Sequence, residues 1–246
     1  MKQVATRLIS INFVQGNFHK IVNRHADLYF LKESKISSCL HIQGLELLKS
    51  EDFAVKFRQV DLPYVDGIGI SLALKTLGIS NIQPSPTTDL GWEIIKQIRI
   101  LENRKLKLLL IGGEDELSAS ALNKFVELGF ADSILSKAFN GFKFDVNLTL
   151  NHQYDIALIG QGMPKELTTA IELRDKNIAK LILTCGGWFG FITGAEKRAP
   201  RLLRNLRLEW FWRLIHSYNR LHKRYFVGLK NLLALCIVAR KSTNKK

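Results

Sequence analysis

Short apolar runs alternate with amphipathic stretches over residues 1–195 of the chain. The clearest apolar runs are KLKLLLIGG (105–113), YDIALIGQG (154–162) and AKLILTCGG (179–187). This alternation is typical of parallel strands joined by helices. The pattern therefore predicts an α/β domain with one strand in each of these three segments.

Each of the three predicted strands ends in glycine residues. Open α/β sheets bind their ligands at the carboxyl edge, because helix N-termini and free backbone N–H groups converge there. Glycine also merely ends strands, but three such strands together favour a phosphate or nucleotide site. The chain contains neither G-x-G-x-x-G nor G-x-x-x-x-G-K-[ST], so it predicts no standard dinucleotide or P-loop site.

The segment YVDGIGISLALKTLG (64–78) predicts a second polar feature, a carboxylate on a tight turn. Asp66 follows the apolar run LPYV and precedes Gly67, Gly69 and a predicted helix. The residues alone leave two interpretations open. Asp66 is either an N-cap of that helix or a functional carboxylate.

Metal-binding and thiol chemistry have little support in the sequence. Glu114, Asp115 and Glu116 fall in the first turn of a predicted helix, where acidic residues complement the helix dipole. No Asp-x-Asp pair and no H-E-x-x-H motif occurs. Cys39, Cys185 and Cys236 are widely spaced, so we expect buried, reduced thiols. We expect neither a metal nor a cofactor.

Positive charge is concentrated at the C-terminal end. The net charge is +14, and residues 196–246 hold 14 Lys and Arg against 2 Asp and Glu, which leaves 22 against 20 in residues 1–195. We therefore predict two parts, a domain over 1–195 and a basic, amphipathic helical appendage over 196–246. Such a tail binds polyanions, which are nucleic acid, an anionic membrane or a phosphate-bearing substrate.

Among these three partners, the apolar residues of the tail favour an anionic membrane. YFVGLKNLLALCIVARK (225–241) is suited to lying in a membrane interface, although a core helix is also apolar on one side. No segment has the roughly 20 apolar residues that span a bilayer, and the N-terminus does not resemble a signal peptide. We expect a cytoplasmic protein.

Taken in order, several segments resemble the WecG/TagA/CpsF family of bacterial glycosyltransferases. They are DGIGI, TTDL, LLLIGGEDE, NGFKF, DIALIGQGMPKE, CGGWFGFITGAEKRAP and RLEWFWRL, and they extend from about residue 35 to about residue 230. The resemblance implies a Rossmann-like domain. It also implies inverting, metal-independent transfer of a hexosyl unit from a UDP-sugar to a polyprenyl-diphosphate-linked saccharide.

The resemblance further implies a biological setting. Such enzymes build envelope polysaccharides, among them teichoic acid linkage units and exopolysaccharides. The expected partners are the UDP-sugar donor, the lipid-linked acceptor and an anionic membrane surface, with no nucleic acid. The sequence leaves the oligomeric state open, and a homo-oligomer is one alternative. The expected location is peripheral, on the inner face of the plasma membrane.

The resemblance also assigns roles to individual residues. Asp66 aligns with the proposed catalytic base of the family, which favours a functional carboxylate over an N-cap. His41 and Gln43 stand where the family often has Thr-x-Asn, and we include them as catalytic candidates. The candidate substrate-binding residues are Asp89, Gly112, Gly113, Asn140, Gly160, Gly162, Pro164, Lys165, Glu166, Gly187, Arg213, Arg220 and Arg224.

Three more positions depart from the family pattern. Glu166 stands where Gln is usual, Leu167 where Glu is usual, and Gly190 where Asp ends the motif G-G-x-F-D. These departures leave the donor open between an N-acetylmannosamine type and another hexose such as glucose. The rival hypothesis is a nucleotide-binding α/β protein with a basic tail for nucleic acid, which requires neither the DGIGI turn nor the apolar run LLALCIVA.

Overall fold

The computed structural model describes residues 1–150, 153–205, 208–216 and 221–243. The six strands are β1 (Lys35–Leu40), β2 (Leu62–Val65), β3 (Leu108–Gly112), β4 (Lys137–Phe139), β5 (Tyr154–Gly160) and β6 (Ala179–Thr184). The helices of the first half are α1 (Lys2–Ile9), α2 (Phe18–Tyr29), α3 (Gly44–Leu47), α4 (Glu51–Phe57), α5 (Ile68–Thr76) and α6 (Thr87–Glu102). Those of the second half are α7 (Asp115–Glu127), α8 (Lys165–Asp175), α9 (Trp188–Thr193), α10 (Arg201–Asn205), α11 (Glu209–His216) and α12 (Leu221–Thr243).

All six strands form one parallel sheet in the order β2-β1-β6-β5-β3-β4. The three strands predicted from apolar runs ended by glycine are confirmed as β3, β5 and β6. Their pairing aligns Gly112 with Gly160, so the glycine turns of neighbouring strands lie side by side. Since every strand runs in the same direction, all six carboxyl ends meet at one edge of the sheet.

Helices cover both faces of the sheet and form two separate hydrophobic cores. One core joins the sheet to α1, α4, α5, α8 and α12, and the other joins it to α2, α6, α7 and α9. Strands covered on both faces need apolar residues at consecutive positions, which is why β3 and β5 appear in the sequence as unbroken apolar runs. This three-layer arrangement confirms the predicted Rossmann-like α/β class.

The C-terminal helix α12 packs against the same core as the N-terminal part of the chain. Leu232 and Leu235 are buried in the core that contains α1 and α5. Asn231 donates a hydrogen bond of 2.6 Å to the carboxylate of Glu46. The division at residue 195 stays a prediction, and α12, which belongs to the predicted appendage, packs into the core formed with residues of the predicted domain.

Two sequence expectations concern thiols and membrane spans. All three cysteines are free, Cys39 and Cys185 are buried, and Cys236 is half-buried rather than fully buried. No helix within the described ranges is long and apolar enough to cross a membrane.

Candidate active site

Three glycine turns line the carboxyl edge at the ends of β3, β5 and β6. Gly112 lies at the end of β3, and a Cβ at this position would be 2.6 Å from the carbonyl oxygen of Gly160. Gly162 and Gly186 have positive φ angles of 79° and 51°, which glycine adopts at little cost. The edge is therefore built from glycine backbone, which a ligand can approach closely because no side chains project from these positions.

The loop after β4 closes one side of these turns. The N–H of Gly141 donates to the carbonyl of Gly113 over 2.9 Å. The carbonyl of Gly141 in turn accepts hydrogen bonds from Gln161 Nε2 at 2.6 Å and Lys165 Nζ at 2.8 Å. Lys165 is exposed, and an ammonium has three donors. One bond to Gly141 therefore fixes the lysine beside the turns and leaves it able to meet a phosphate.

Glu166 links the turn after β5 to the turn after β6 through its buried side chain. Its side chain is 2% exposed, and Oε2 accepts the N–H groups of Gly162 and Gly186, each at 3.1 Å. Burial raises the pKa of Glu166 to about 7, although both hydrogen bonds oppose the rise. Glu166 was predicted to bind substrate. Its contacts show that it holds the turns after β5 and β6 together.

Asp66 lies at the end of β2, where its N–H donates to the carbonyl of Leu40 over 3.1 Å. The N-cap of α5 is Gly67, with no side-chain cap. Instead, Oδ2 of Asp66 accepts the N–H and the hydroxyl of Thr87, both at 3.3 Å. Asp66 thus bonds the first residue of α6, and these contacts orient its carboxylate.

The two other catalytic candidates lie in the turn after β1, the strand next to β2. His41 follows Leu40, whose carbonyl accepts the Asp66 N–H, so the backbones of His41 and Asp66 are adjacent. Ile42 packs closely against two glycines, since a Cβ on Gly69 would be 2.7 Å and one on Gly228 would be 2.9 Å from its side chain. Helix α12 therefore approaches the turn that carries His41 and Gln43.

Arg198 was not predicted as an individual site residue, although it lies in the segment EKRAP, which is part of the family resemblance. Arg198 donates to both carboxylate oxygens of Asp89, at 2.9 and 3.2 Å, and to the hydroxyl of Thr88 at 2.8 Å. Burial alone would lower the pKa of Arg198, but Asp89, Glu209 and Asp66 raise it above its ordinary value. The predicted substrate ligand Asp89 is thus paired with an arginine that feels the charge of Asp66.

The remaining candidates divide between described and undescribed positions. Asn140 accepts the N–H groups of Phe142 and Lys143 at 2.8 and 3.2 Å, which shapes the loop after β4. Gly187 is exposed at the end of β6, and Pro164 follows a cis peptide bond at the start of α8. Arg213 and Arg224 belong to α11 and α12, but their side chains, and Arg220 entirely, lie outside the described residues.

The described residues contain no group of three or more His, Cys, Asp or Glu side chains arranged to hold a metal ion. The carboxyl edge carries the three glycine turns, Lys165 and the oriented carboxylate of Asp66. These groups can bind a phosphate-bearing ligand and accept a proton.

The fold and the site together define an α/β protein with glycine turns and a candidate general base at the carboxyl edge of its sheet. The chain belongs to the glycosyl transferase WecG/TagA/CpsF family, whose family model matches residues 6–246. A relative from Staphylococcus aureus (strain MRSA252), N-acetylglucosaminyldiphosphoundecaprenol N-acetyl-beta-D-mannosaminyltransferase, is 24% identical over 195 residues, which cover 74% of this chain and 68% of the relative. The family resemblance found in the sequence is confirmed, and the protein is a glycosyltransferase.

Proposed function

We propose that the protein transfers a hexosyl unit from a UDP-sugar to a polyprenyl-diphosphate-linked saccharide, with inversion and without a metal. The proposal depends on one observation. The glycine turns after β3, β5 and β6 and the carboxylate of Asp66 after β2 lie at the same edge of the sheet. The S. aureus relative is named for transfer to a diphosphoundecaprenol-linked sugar. That name supports an acceptor of the same kind here.

The proposed step begins with the acceptor hydroxyl. Asp66 takes its proton as the hydroxyl oxygen attacks the anomeric carbon of the donor from the face opposite the leaving group. The bond from the anomeric carbon to the diphosphate oxygen breaks, and UDP leaves with the electron pair. The configuration at the anomeric carbon inverts. His41 and Gln43 are proposed to orient the acceptor, because their turn adjoins Asp66.

The glycine turns are proposed to receive the leaving diphosphate. Gly113, Gly160 and Gly162 are half-buried at the edge, Gly187 is exposed there, Gly112 is buried beside them, and Lys165 adds a positive charge. Charge-assisted hydrogen bonds of this kind stabilise the negative charge that develops on the leaving group. A metal ion is then not needed for this task.

A panel of UDP-sugars with a synthetic lipid-diphosphate acceptor tests the proposal. We expect one UDP-hexose, of the N-acetylmannosamine type or glucose, to be transferred, with a product of inverted configuration by NMR. Activity should be the same in chelator. Activity that vanishes in chelator and returns with Mg²⁺ or Mn²⁺ would overturn the metal-free mechanism, and transfer from no member of the panel would overturn the proposed donor class.

A peripheral position on the inner face of the plasma membrane is the second part of the proposal. Helix α12 buries Leu232 and Leu235 and exposes an apolar stripe, Phe226, Leu229, Leu233 and Ile237, at helical spacing. The tail that carries this stripe has 14 basic residues against 2 acidic ones. An apolar stripe flanked by basic residues suits an anionic lipid surface.

Vesicle flotation tests the membrane contact. Leu233→Glu should reduce flotation with phosphatidylglycerol vesicles severalfold, because a charge replaces an apolar side chain at the interface. Leu128→Glu is the matched control, since Leu128 is similarly exposed, 50% against 58% for Leu233, but follows α7 as its C-cap residue. Equal flotation of the two variants would contradict docking through α12.

A further inference from the structure

The side chain of Glu196 fills the space beside the turn after β6. A Cβ at Gly190 would lie 3.0 Å from Cγ and 3.3 Å from Cδ of Glu196. A Cβ at Gly187 would lie 4.0 Å from each carboxylate oxygen of the same residue. The side chain of Glu196 therefore lies over the first turn of α9, beside the glycine turn of the candidate site.

The backbone on both sides fixes this position. Helix α9 ends at Gly194, whose φ of 80° reverses the chain. The N–H of Glu196 then donates to the carbonyl of Gly190 over 2.9 Å, and two residues later Arg198 is held by Asp89. Glu196 is thus anchored by its main chain, while its exposed side chain makes no hydrogen bond or ion pair with the described residues.

The chemistry of this position selects its ligand. A carboxylate accepts hydrogen bonds and repels phosphate oxygens, so it does not suit the diphosphate itself. The hydroxyl groups of a pyranose ring are donors, and hydrogen bonds from a neutral donor to a carboxylate are stronger than those between neutral groups. We propose that Glu196 is a specificity-determining residue that accepts a hydrogen bond from a pyranose hydroxyl at the glycine turns.

This inference rests on the proposed function, and it names the part of the substrate that this residue recognises. The pyranose belongs either to the donor hexosyl unit or to the terminal sugar of the acceptor. Both present the same hydroxyl chemistry, and the two are separated by measuring donor binding in the absence of acceptor.

The absence of a side chain at Gly190 also leaves the space that the side chain of Glu196 occupies. A side chain at position 190 must displace Glu196, because a Cβ contact of 3.0 Å is tighter than ordinary packing allows. Gly190→Asp would place a second carboxylate against the first, and like charges at this distance repel. Removing Glu196 in the same protein makes room for the new carboxylate and keeps one acceptor at the turn.

Calorimetry with UDP and with the UDP-sugar identified by the panel tests the proposal. For a donor contact, Glu196→Ala should weaken UDP-sugar binding about tenfold and leave UDP binding unchanged, since UDP has no pyranose. Glu196→Gln, which keeps one acceptor, should lose less UDP-sugar affinity.

Gly190→Asp should also weaken UDP-sugar binding. The double variant Gly190→Asp with Glu196→Ala should bind the UDP-sugar better than Gly190→Asp alone. For an acceptor contact, donor binding stays unchanged and KM for the acceptor rises about tenfold.

Glu172→Ala is the matched control, because Glu172 is an exposed carboxylate in the second half of α8 rather than in the turns. Thermal unfolding checks that each variant is folded. An equal loss of UDP and UDP-sugar binding in Glu196→Ala would mean a structural role in the turn and would overturn the inference. Donor affinity and acceptor KM both equal to those of Glu172→Ala would also overturn it. Wild-type protein that binds no UDP-sugar would instead refute the proposed function, and this inference with it.

Discussion

Two buried carboxyl groups lie at opposite ends of β5, and their surroundings shift their pKa values in opposite directions. Asp155, at the amino end, is 4% exposed. It accepts two hydrogen bonds of 2.7 Å from Arg104, one of 2.8 Å from the N–H of Lys107 and one of 3.0 Å from the hydroxyl of Tyr29. Burial alone would raise its pKa, but these bonds and the charge of Arg104 lower the pKa below its ordinary value.

Glu166, just beyond the carboxyl end, is 2% exposed and receives only two backbone N–H groups, those of Gly162 and Gly186. No Lys or Arg among the described residues forms an ion pair with it. Burial therefore determines the outcome and raises its pKa to about 7. The ionised form of Glu166 is destabilised where that of Asp155 is stabilised.

The contrast separates a structural edge from the proposed functional edge. At the amino edge, a complete set of donors makes a buried charge part of the stable framework. At the carboxyl edge, the buried carboxyl of Glu166 receives two backbone N–H groups and no cation from the described part of the chain, and titratable side chains that are incompletely compensated are common in binding sites. Variants at the two edges should therefore change different measured quantities.

The largest effect is expected at the functional edge, in Asp66→Asn. Turnover should fall on the order of a hundredfold to ten-thousandfold, because the variant cannot accept the proton of the acceptor hydroxyl. Its amide oxygen can still accept from Thr87, so UDP affinity and the unfolding temperature should change little. Transfer kinetics, calorimetry with UDP and thermal unfolding measure the three quantities. Near-normal turnover would leave Asp66 only its contact with α6.

The corresponding change at the amino edge is Asp155→Ala. It should cost about 3 kcal/mol in the free energy of unfolding, because Arg104 and the N–H of Lys107 lose their partner. UDP affinity of the folded protein should be unchanged. Urea unfolding gives the first quantity and calorimetry the second.

Asp175→Ala provides the control for this change, since its carboxylate is 60% exposed in the ion pair with Arg174 and pairs with an exposed carboxylate contribute little. An Asp155→Ala protein of wild-type stability, or one that lost UDP binding while still folded, would remove the distinction between the edges.

Much of the functional edge was predictable from the sequence, because its determinants are local. A continuous apolar run ended by glycine predicts a buried parallel strand with a turn at its ligand-binding end, and β3, β5 and β6 all follow this rule. The turn at Asp66 was recognisable for the same reason. Its partner was not, since Thr87 lies 21 residues further along the chain.

The contacts that the sequence did not reveal are long-range. Arg198 and Asp89 are 109 residues apart, and nothing in either segment identifies the other. Helix α12 is a different case, because its sequence supported both a core helix and an interfacial one. The structure shows a buried face with Leu232 and an exposed face with Leu233, and only tertiary packing decides which residue faces the core.

The smallest expected effect is also the most direct comparison of the edges, the pH dependence of stability caused by Glu166. Its pKa rises from an ordinary 4.5 to about 7 on folding, so between these values the folded protein holds a proton that the unfolded chain has lost. Stability from this group is complete below pH 4.5 and is lost as pH rises through 7. The loss is on the order of 2–3 kcal/mol.

Glu166→Gln should remove this dependence, because the amide is neutral at every pH and its oxygen can still accept from Gly162 and Gly186. Urea unfolding at pH 5, 6.5 and 8 should show the variant gaining on the wild type as pH rises. The neighbouring thiols Cys39 and Cys185 do not interfere, since burial raises the pKa of each well above its ordinary value. Exposed Glu172→Gln should follow the wild-type curve. If Glu166→Gln also followed it, the carboxyl of Glu166 would be as well compensated as that of Asp155, and the two ends of β5 would not differ in this respect.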